Sequence, residues 1–154
     1  MSAPHEHAWL AGLFGDAEIA AILAPEAELA RMLRVEAAWT RALGEVEGHE
    51  DAARVADAVV ATPVPFDLLR EGTARDGVPV PALVRAIRSR LPEADHALMH
   101  RGLTSQDVMD TALVLALREA IAVLVARVDA VDGALRDLAR RVEGRGLTDR
   151  KSVV

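Results

Sequence analysis

The sequence has 154 residues, no cysteine, and 24 acidic against 18 basic side chains, for a net charge of −6. The missing cysteines exclude disulfides, thiolate nucleophiles and Cys-based zinc sites, and the acidic balance with scattered bases opposes non-specific nucleic-acid binding, which needs clustered cations. The composition is 51% hydrophobic but 3% aromatic, so any core must be aliphatic, and the Ala, Leu and Val dominance favours closely packed helices. The length suits one domain or a large part of one. No basic stretch followed by an apolar run heads the chain, and no apolar run is long enough to span a bilayer, so the expected protein is cytoplasmic, without a membrane partner.

In chain order, the first dozen residues read as an irregular arm in which His5 and His7 are solvated. A short helix is expected after Gly15, with Asp16 as its N-cap. Pro25 restarts the chain. Leu29, Met32, Leu33, Ala37 and Leu43 then recur at helical spacings to about Gly44, with proline at the start and glycine at the stop. A second, shorter stretch from Gly48 to Ala61 carries apolar Val55, Ala58 and Val59. The segments TPVPF (62–66) and RDGVPVP (75–81) are breaks, because proline removes donors and biases the preceding residue toward extended backbone. Pro81 can open a helix with Leu83, Val84 and Ile87 that ends near Leu91 and Pro92.

The last element is the longest, from about Ser105 to Arg141, or about 55 Å at 1.5 Å per residue. Its first half is apolar on nearly all faces, from Val108 and Met109 through Leu113 to Val125, so it must be surrounded by protein or lipid. Arg118 and Glu119 in mid-run oppose lipid. The chain is therefore expected to be all-α. An amino-terminal helical domain over 1–104 leads into the start of a central helical bundle over 105–142. Residues 143–154 are expected to be a non-native or truncated tail, since the final DRKSVV matches one reading frame of a common sequencing adapter.

The stretch HRGLTSQDVMDTA (100–112) is a glycine-containing loop feeding the long helix. Thr104 and Asp107 have the spacing of a capping box, with Asp in place of the usual Glu. Thr104, Ser105 and Gln106 place short polar side chains where backbone N–H groups lack partners, at a helix end carrying about half a positive charge. A carboxylate is a natural guest there. From the residues alone, two readings stand: a helix cap and nothing more, or a seat for an anion. His100 taken alone reads as a loop histidine.

The same stretch resembles the first of three signature regions of the fumarase/aspartase superfamily, HxGxTSxDxxDTA, through His100, Gly102, Thr104, Ser105, Asp107, Asp110, Thr111 and Ala112. The variant with Gln106 is similar to the 3-carboxy-cis,cis-muconate cycloisomerase branch. So are WLAGLFGDAEIAAIL (9–23) and GVPVPALV (77–84), while ELARMLRVEAAWTRALGEV (28–46) resembles the superfamily's second helix. Adenylosuccinate lyases usually have a His-Asp pair where Val78 and Pro79 stand here. Arg101 and Leu103 depart from the usual aromatic and alanine. Arg101 either adds a cation near an anionic substrate or points to solvent.

The resemblance implies a homotetramer whose central helices form a large bundle and whose active sites each draw on three subunits. It implies that Thr104 and Ser105 bind a substrate carboxylate, with Gln106 assisting and His100 lining the pocket. Gly102, Asp107, Asp110 and Thr111 would hold the loop and helix start in shape. The implied substrate is a small tricarboxylate. The implied chemistry is addition or elimination beside a carboxylate, here lactonising addition in protocatechuate (β-ketoadipate) breakdown, with no metal and no organic cofactor. The second signature region, with its histidine, and the third, a Ser-containing loop, do not occur in this sequence. No general acid or base is therefore assigned, and the chain is expected to be inactive alone. His49 and His96 match no signature. Two alternatives remain: adenylosuccinate lyase or another fumarate-releasing lyase, and a non-catalytic helical assembly module.

Overall fold

A computed structural model describes residues 8–143. The described residues are helical with no strand, as the sequence implied: α1 (Ala11–Phe14), α2 (Ala17–Ile22), α3 (Pro25–Glu47), α4 (Ala52–Val60), α5 (Phe66–Asp76), α6 (Val80–Arg88), a 3-10 segment (Glu93–Leu98) and α7 (Ser105–Val142). The expected tail beyond Glu143 and the arm histidines His5 and His7 lie outside the described residues. The chain divides into two units, one ending at Glu119 and one beginning at Ala120.

Local chemistry accounts for most boundaries in the first unit. Asp16 caps α2 by accepting from the Glu18 and Ile19 N–H groups, both at 3.1 Å. Pro25 takes the first turn of α3, where its missing N–H costs nothing. The helix does not stop at Gly44, as the periodicity suggested, but at Gly48, which adopts φ 73° and closes the end. Gly44 serves packing instead: a Cβ there would stand 2.0 Å from the Ala52 Cβ, so glycine lets α3 and α4 meet closely. Gly72 of α5 does the same against Ala82 of α6, at 2.3 Å. The first dozen residues are not wholly irregular, since Ala11–Phe14 form one turn of helix.

The core is aliphatic, as a sequence so poor in aromatics requires. Met32, Leu33 and Ala37 of α3 pack with Val55 and Val59 of α4, Leu83 and Ile87 of α6, and Leu98 and Met99 beyond. The head of α7 joins this cluster through Val108 and Ala112, one stripe of an otherwise uncovered helix. Leu113, Val114 and Leu117, on its other faces, are exposed. Arg31, 4% exposed, ties three helices together. It donates to the Ile22 carbonyl at 2.7 Å and forms a two-point pair with Glu119, at 2.6 and 3.4 Å. That pair explains the acid in mid-run of α7, and Arg31 holds the Glu119 carboxyl below its ordinary range. In the second unit, Ile121, Leu124, Val125, Val128, Val131, Leu135 and Leu138 of α7 are exposed.

Candidate functional site

The loop entering α7 has an unusual backbone. His100 (φ 57°) and Gly102 (φ 82°) both occupy the left-handed region. Glycine does so freely, whereas histidine does so at a cost of about 1 kcal/mol or more. A Cβ on Gly102 would meet only the Trp39 ring edge, at 3.7 Å, so the position calls for glycine on conformation rather than space. Trp39 of α3 steadies the loop by donating its indole N–H to the Arg101 carbonyl at 2.8 Å. The Arg101 side chain is exposed, the solvent-facing one of the two expected orientations, and pairs there with Glu47.

Thr104 then starts α7 with a reciprocal box. Its N–H and its hydroxyl both reach Asp107 Oδ2 at 2.7 Å, and the Asp107 N–H donates back to Thr104 Oγ1 at 3.2 Å. These bonds, with a smaller contribution from the His100 charge, hold the Asp107 carboxyl below its ordinary value. Ser105, half-buried, occupies the first helical position outside the box. Gln106 donates to Asp110 one turn on. Asp110 is thereby placed to orient the Gln106 amide.

Beneath the loop, His100 Nδ1 lies 2.6 Å from Oε1 of Glu36, a fully buried residue of α3. Burial pushes the Glu36 carboxyl above its ordinary value, opposed by His100 and by the Arg88 charge. Arg88 of α6 donates to the Met99 carbonyl at 2.9 Å, so the residue before His100 is also held. Glu36 is the residue that pattern reading passed over. Its signal was there: Glu36 and Thr40 interrupt the face of α3 that Met32, Leu33 and Ala37 bury.

Gly102, Asp107 and Thr111 line an open cleft of about 830 Å³ together with Arg34, Trp39 and Arg41. Arg41 is paired with Asp57. His100, Thr104, Ser105 and Gln106 do not line that cleft, so the motif splits into a cleft-facing group and a group at the helix start. The other described histidines are engaged elsewhere. His49 sits 3.2 Å from Glu47, and His96 Nε2 reaches the Arg88 and Leu91 carbonyls at 2.8 and 3.2 Å. Among the described residues, no group of three or more His, Asp or Glu could hold a metal ion, and no helix is long and apolar enough to cross a membrane.

Comparison with known proteins adds the following. No protein-family profile matches the chain. It is 33% identical over 140 residues to the nitrosuccinate lyase of Streptomyces davaonensis, covering 84% of this chain and 30% of that protein. It is 34% identical over 147 residues to the 3-carboxy-cis,cis-muconate cycloisomerase of Bradyrhizobium diazoefficiens, covering 88% of this chain and 29% of the relative. The N-acetyl-S-(2-succino)cysteine lyase of Dickeya dadantii is 30% identical over 139 residues, covering 89% of this chain and 30% of its own length. The crystal structure of a fumarate lyase from Mesorhizobium sp. BNC1 superposes with a TM-score of 0.76 at 30% identity, covering 82% of this chain and 30% of that one. The chain thus spans about 30% of the length of the relatives it matches.

Proposed function

This chain belongs to the fumarase/aspartase superfamily, and from that premise we propose that it contributes the first carboxylate-binding region of a lyase-type active site. In this reading the turn from Thr104 to Gln106 receives a carboxylate of a small polycarboxylic substrate. The Thr104–Asp107 box carries the reading: it fixes the backbone at the start of α7 and keeps Asp107 occupied within the turn. Ser105 is left outside it to meet a ligand. The helix start adds a favourable potential for an anion, and donors held in advance need no reorganisation when charge builds on the substrate.

The reaction class is addition or elimination beside a carboxylate. In elimination, a proton leaves the carbon next to the carboxylate, negative charge spreads onto its oxygens, and the leaving group departs from the adjacent carbon. Run in the opposite sense within one molecule, a carboxylate oxygen of 3-carboxy-cis,cis-muconate adds to the double bond and a proton adds to the neighbouring carbon, closing a lactone. The cycloisomerase is our specific proposal, supported by the TSQDVMDTA variant and the 34% identity to the Bradyrhizobium enzyme. The similar identity to a nitrosuccinate lyase supports elimination as the second reading. The second and third signature regions, which this sequence does not contain, are proposed to complete the site, and the assembly in which the regions meet is proposed to be a homotetramer.

Segment exchange tests the choice. This chain replaces the matching 29% of the Bradyrhizobium cycloisomerase and, separately, the matching 30% of the Streptomyces nitrosuccinate lyase. The expected result is lactonising turnover of 3-carboxy-cis,cis-muconate by the first chimera and little activity from the second. Activity confined to the nitrosuccinate host would overturn the cycloisomerase choice and leave the elimination reading.

A further inference from the structure

We propose that Glu36 is a positioning residue for His100: it takes the Nδ1 side of the imidazole and leaves Nε2 as the nitrogen offered to a substrate. The inference deepens the carboxylate-site reading and rests on it for the role of Nε2, but not for the Glu36–His100 pairing.

Four observations support it. Glu36 Oε1 stands 2.6 Å from His100 Nδ1, a short contact for a nitrogen–oxygen pair. Glu36 is fully buried, whereas the His100 side chain is 19% exposed, so one end of the imidazole is locked inside and the ring still reaches the surface. The backbone of His100 is held at φ 57°, a conformation an unconstrained histidine would leave. Stability does not explain the carboxylate. Glu36 Oε2 is buried with no hydrogen-bond partner among the described residues, as is Arg88 Nε, and each such atom carries a desolvation penalty. An apolar side chain at position 36 would pack without that penalty.

The charged groups acting here are Glu36 from α3, Arg88 from α6, and Asp107 from α7, whose carboxyl feels the His100 charge. The Nδ1–H of His100 is donated to the Glu36 carboxylate, which fixes the tautomer. With Nδ1 committed, Nε2 is the free proton-accepting site when the ring is neutral and a cationic donor when it is protonated. Either form suits a pocket that handles carboxylates and protons beside them. A histidine oriented by a buried acid is the arrangement by which a base is held in one tautomer and one direction.

His96 supplies an internal reference of the opposite kind. Its Nε2 faces the carbonyl oxygens of Arg88 and Leu91, which only accept, so its proton sits on Nε2. The experiment is a two-bond ¹⁵N–¹H correlation on the unaltered chain labelled at histidine, at a pH where both rings are neutral. The expected result is opposite tautomers, Nδ1–H for His100 and Nε2–H for His96. An Nε2–H tautomer at His100 would overturn the proposal, and this arm needs no variant to fold. In the cycloisomerase chimera, Glu36→Gln is expected to lower kcat by roughly 10²-fold, the general acid–base range, with a smaller change in KM and a displaced pH profile. An unchanged profile would sink the catalytic consequence. If His100→Asn left turnover intact while the opposite tautomers were observed, the pocket reading of His100 would fail and the Glu36–His100 pairing would stand.

Discussion

Single residues decide how the loop and its helix are held. The Thr104 hydroxyl accepts from the Asp107 N–H and donates to the Asp107 carboxylate, so Thr104→Ala should destabilise the chain by about 1 kcal/mol in urea unfolding, the usual effect of losing a side-chain cap. Asp107 adds a pH signature. Its carboxyl is held below the ordinary range by Thr104, so its stabilising contribution is present above that range and is lost as pH falls through the depressed value. The stability gap between the parent and Asp107→Asn should therefore close on acidification, and a gap constant with pH would contradict the box. Glu36 has the opposite sign. Its carboxyl is raised by burial, so its contribution is full below the ordinary value of 4.5 and is lost as pH rises through the elevated one. Glu36→Gln, which cannot ionise, should flatten the decline in stability over that window, and an unchanged slope would show that Glu36 does not titrate there.

At the scale of elements, two glycines of helices α3 and α7 make opposite predictions. Gly44→Ala would set its Cβ 2.0 Å from that of Ala52 and should cost about 1–3 kcal/mol as α3 and α4 are forced apart. Gly133→Ala meets nothing within 4 Å and should stabilise by up to about 1 kcal/mol through helix propensity. Chemical denaturation of the two variants checks both. The pair also shows how far pattern reading reaches. Hydrophobic spacing located α3, α4 and α6 because burial follows the 3.6-residue period, and α7 showed itself by its long apolar run with no proline. It could not tell Gly44 from Gly48, because a packing glycine and a capping glycine look alike until the partner helix is in place. α5 escaped notice because its buried face is only Leu69 and Gly72, too little to generate a periodic signal. The Thr104–Asp107 box was legible, since it needs only local spacing. The Glu36–His100 contact was not, because it joins residues 64 positions apart and no local rule links them.

On the scale of the whole molecule, the chain exposes more aliphatic surface than an isolated protein tolerates. Leu113, Val114 and Leu117 in the first unit and Val125, Val128 and Leu135 in the second lie open on α7. Patches of this kind are normally covered by protein. The 154-residue chain on its own should therefore self-associate, with a mass by light scattering that rises with concentration. A monodisperse monomer would show that α7 needs no partner. The family was legible from one stretch because its polar identities and their spacing come together at a helix start. Substrate choice was not, because relatives with different substrates match this chain at 30–34% identity and each extends well beyond it.

The account stands on the turn at the head of α7 being a seat for a carboxylate. The direct measurement is kcat/KM of the cycloisomerase chimera with Ser105 and with Ser105→Ala, at matched fold by circular dichroism. The account predicts a fall of about 10²–10³-fold, the range for losing one donor aimed at developing negative charge. Equal kcat/KM for the two proteins would leave the turn as a helix cap alone.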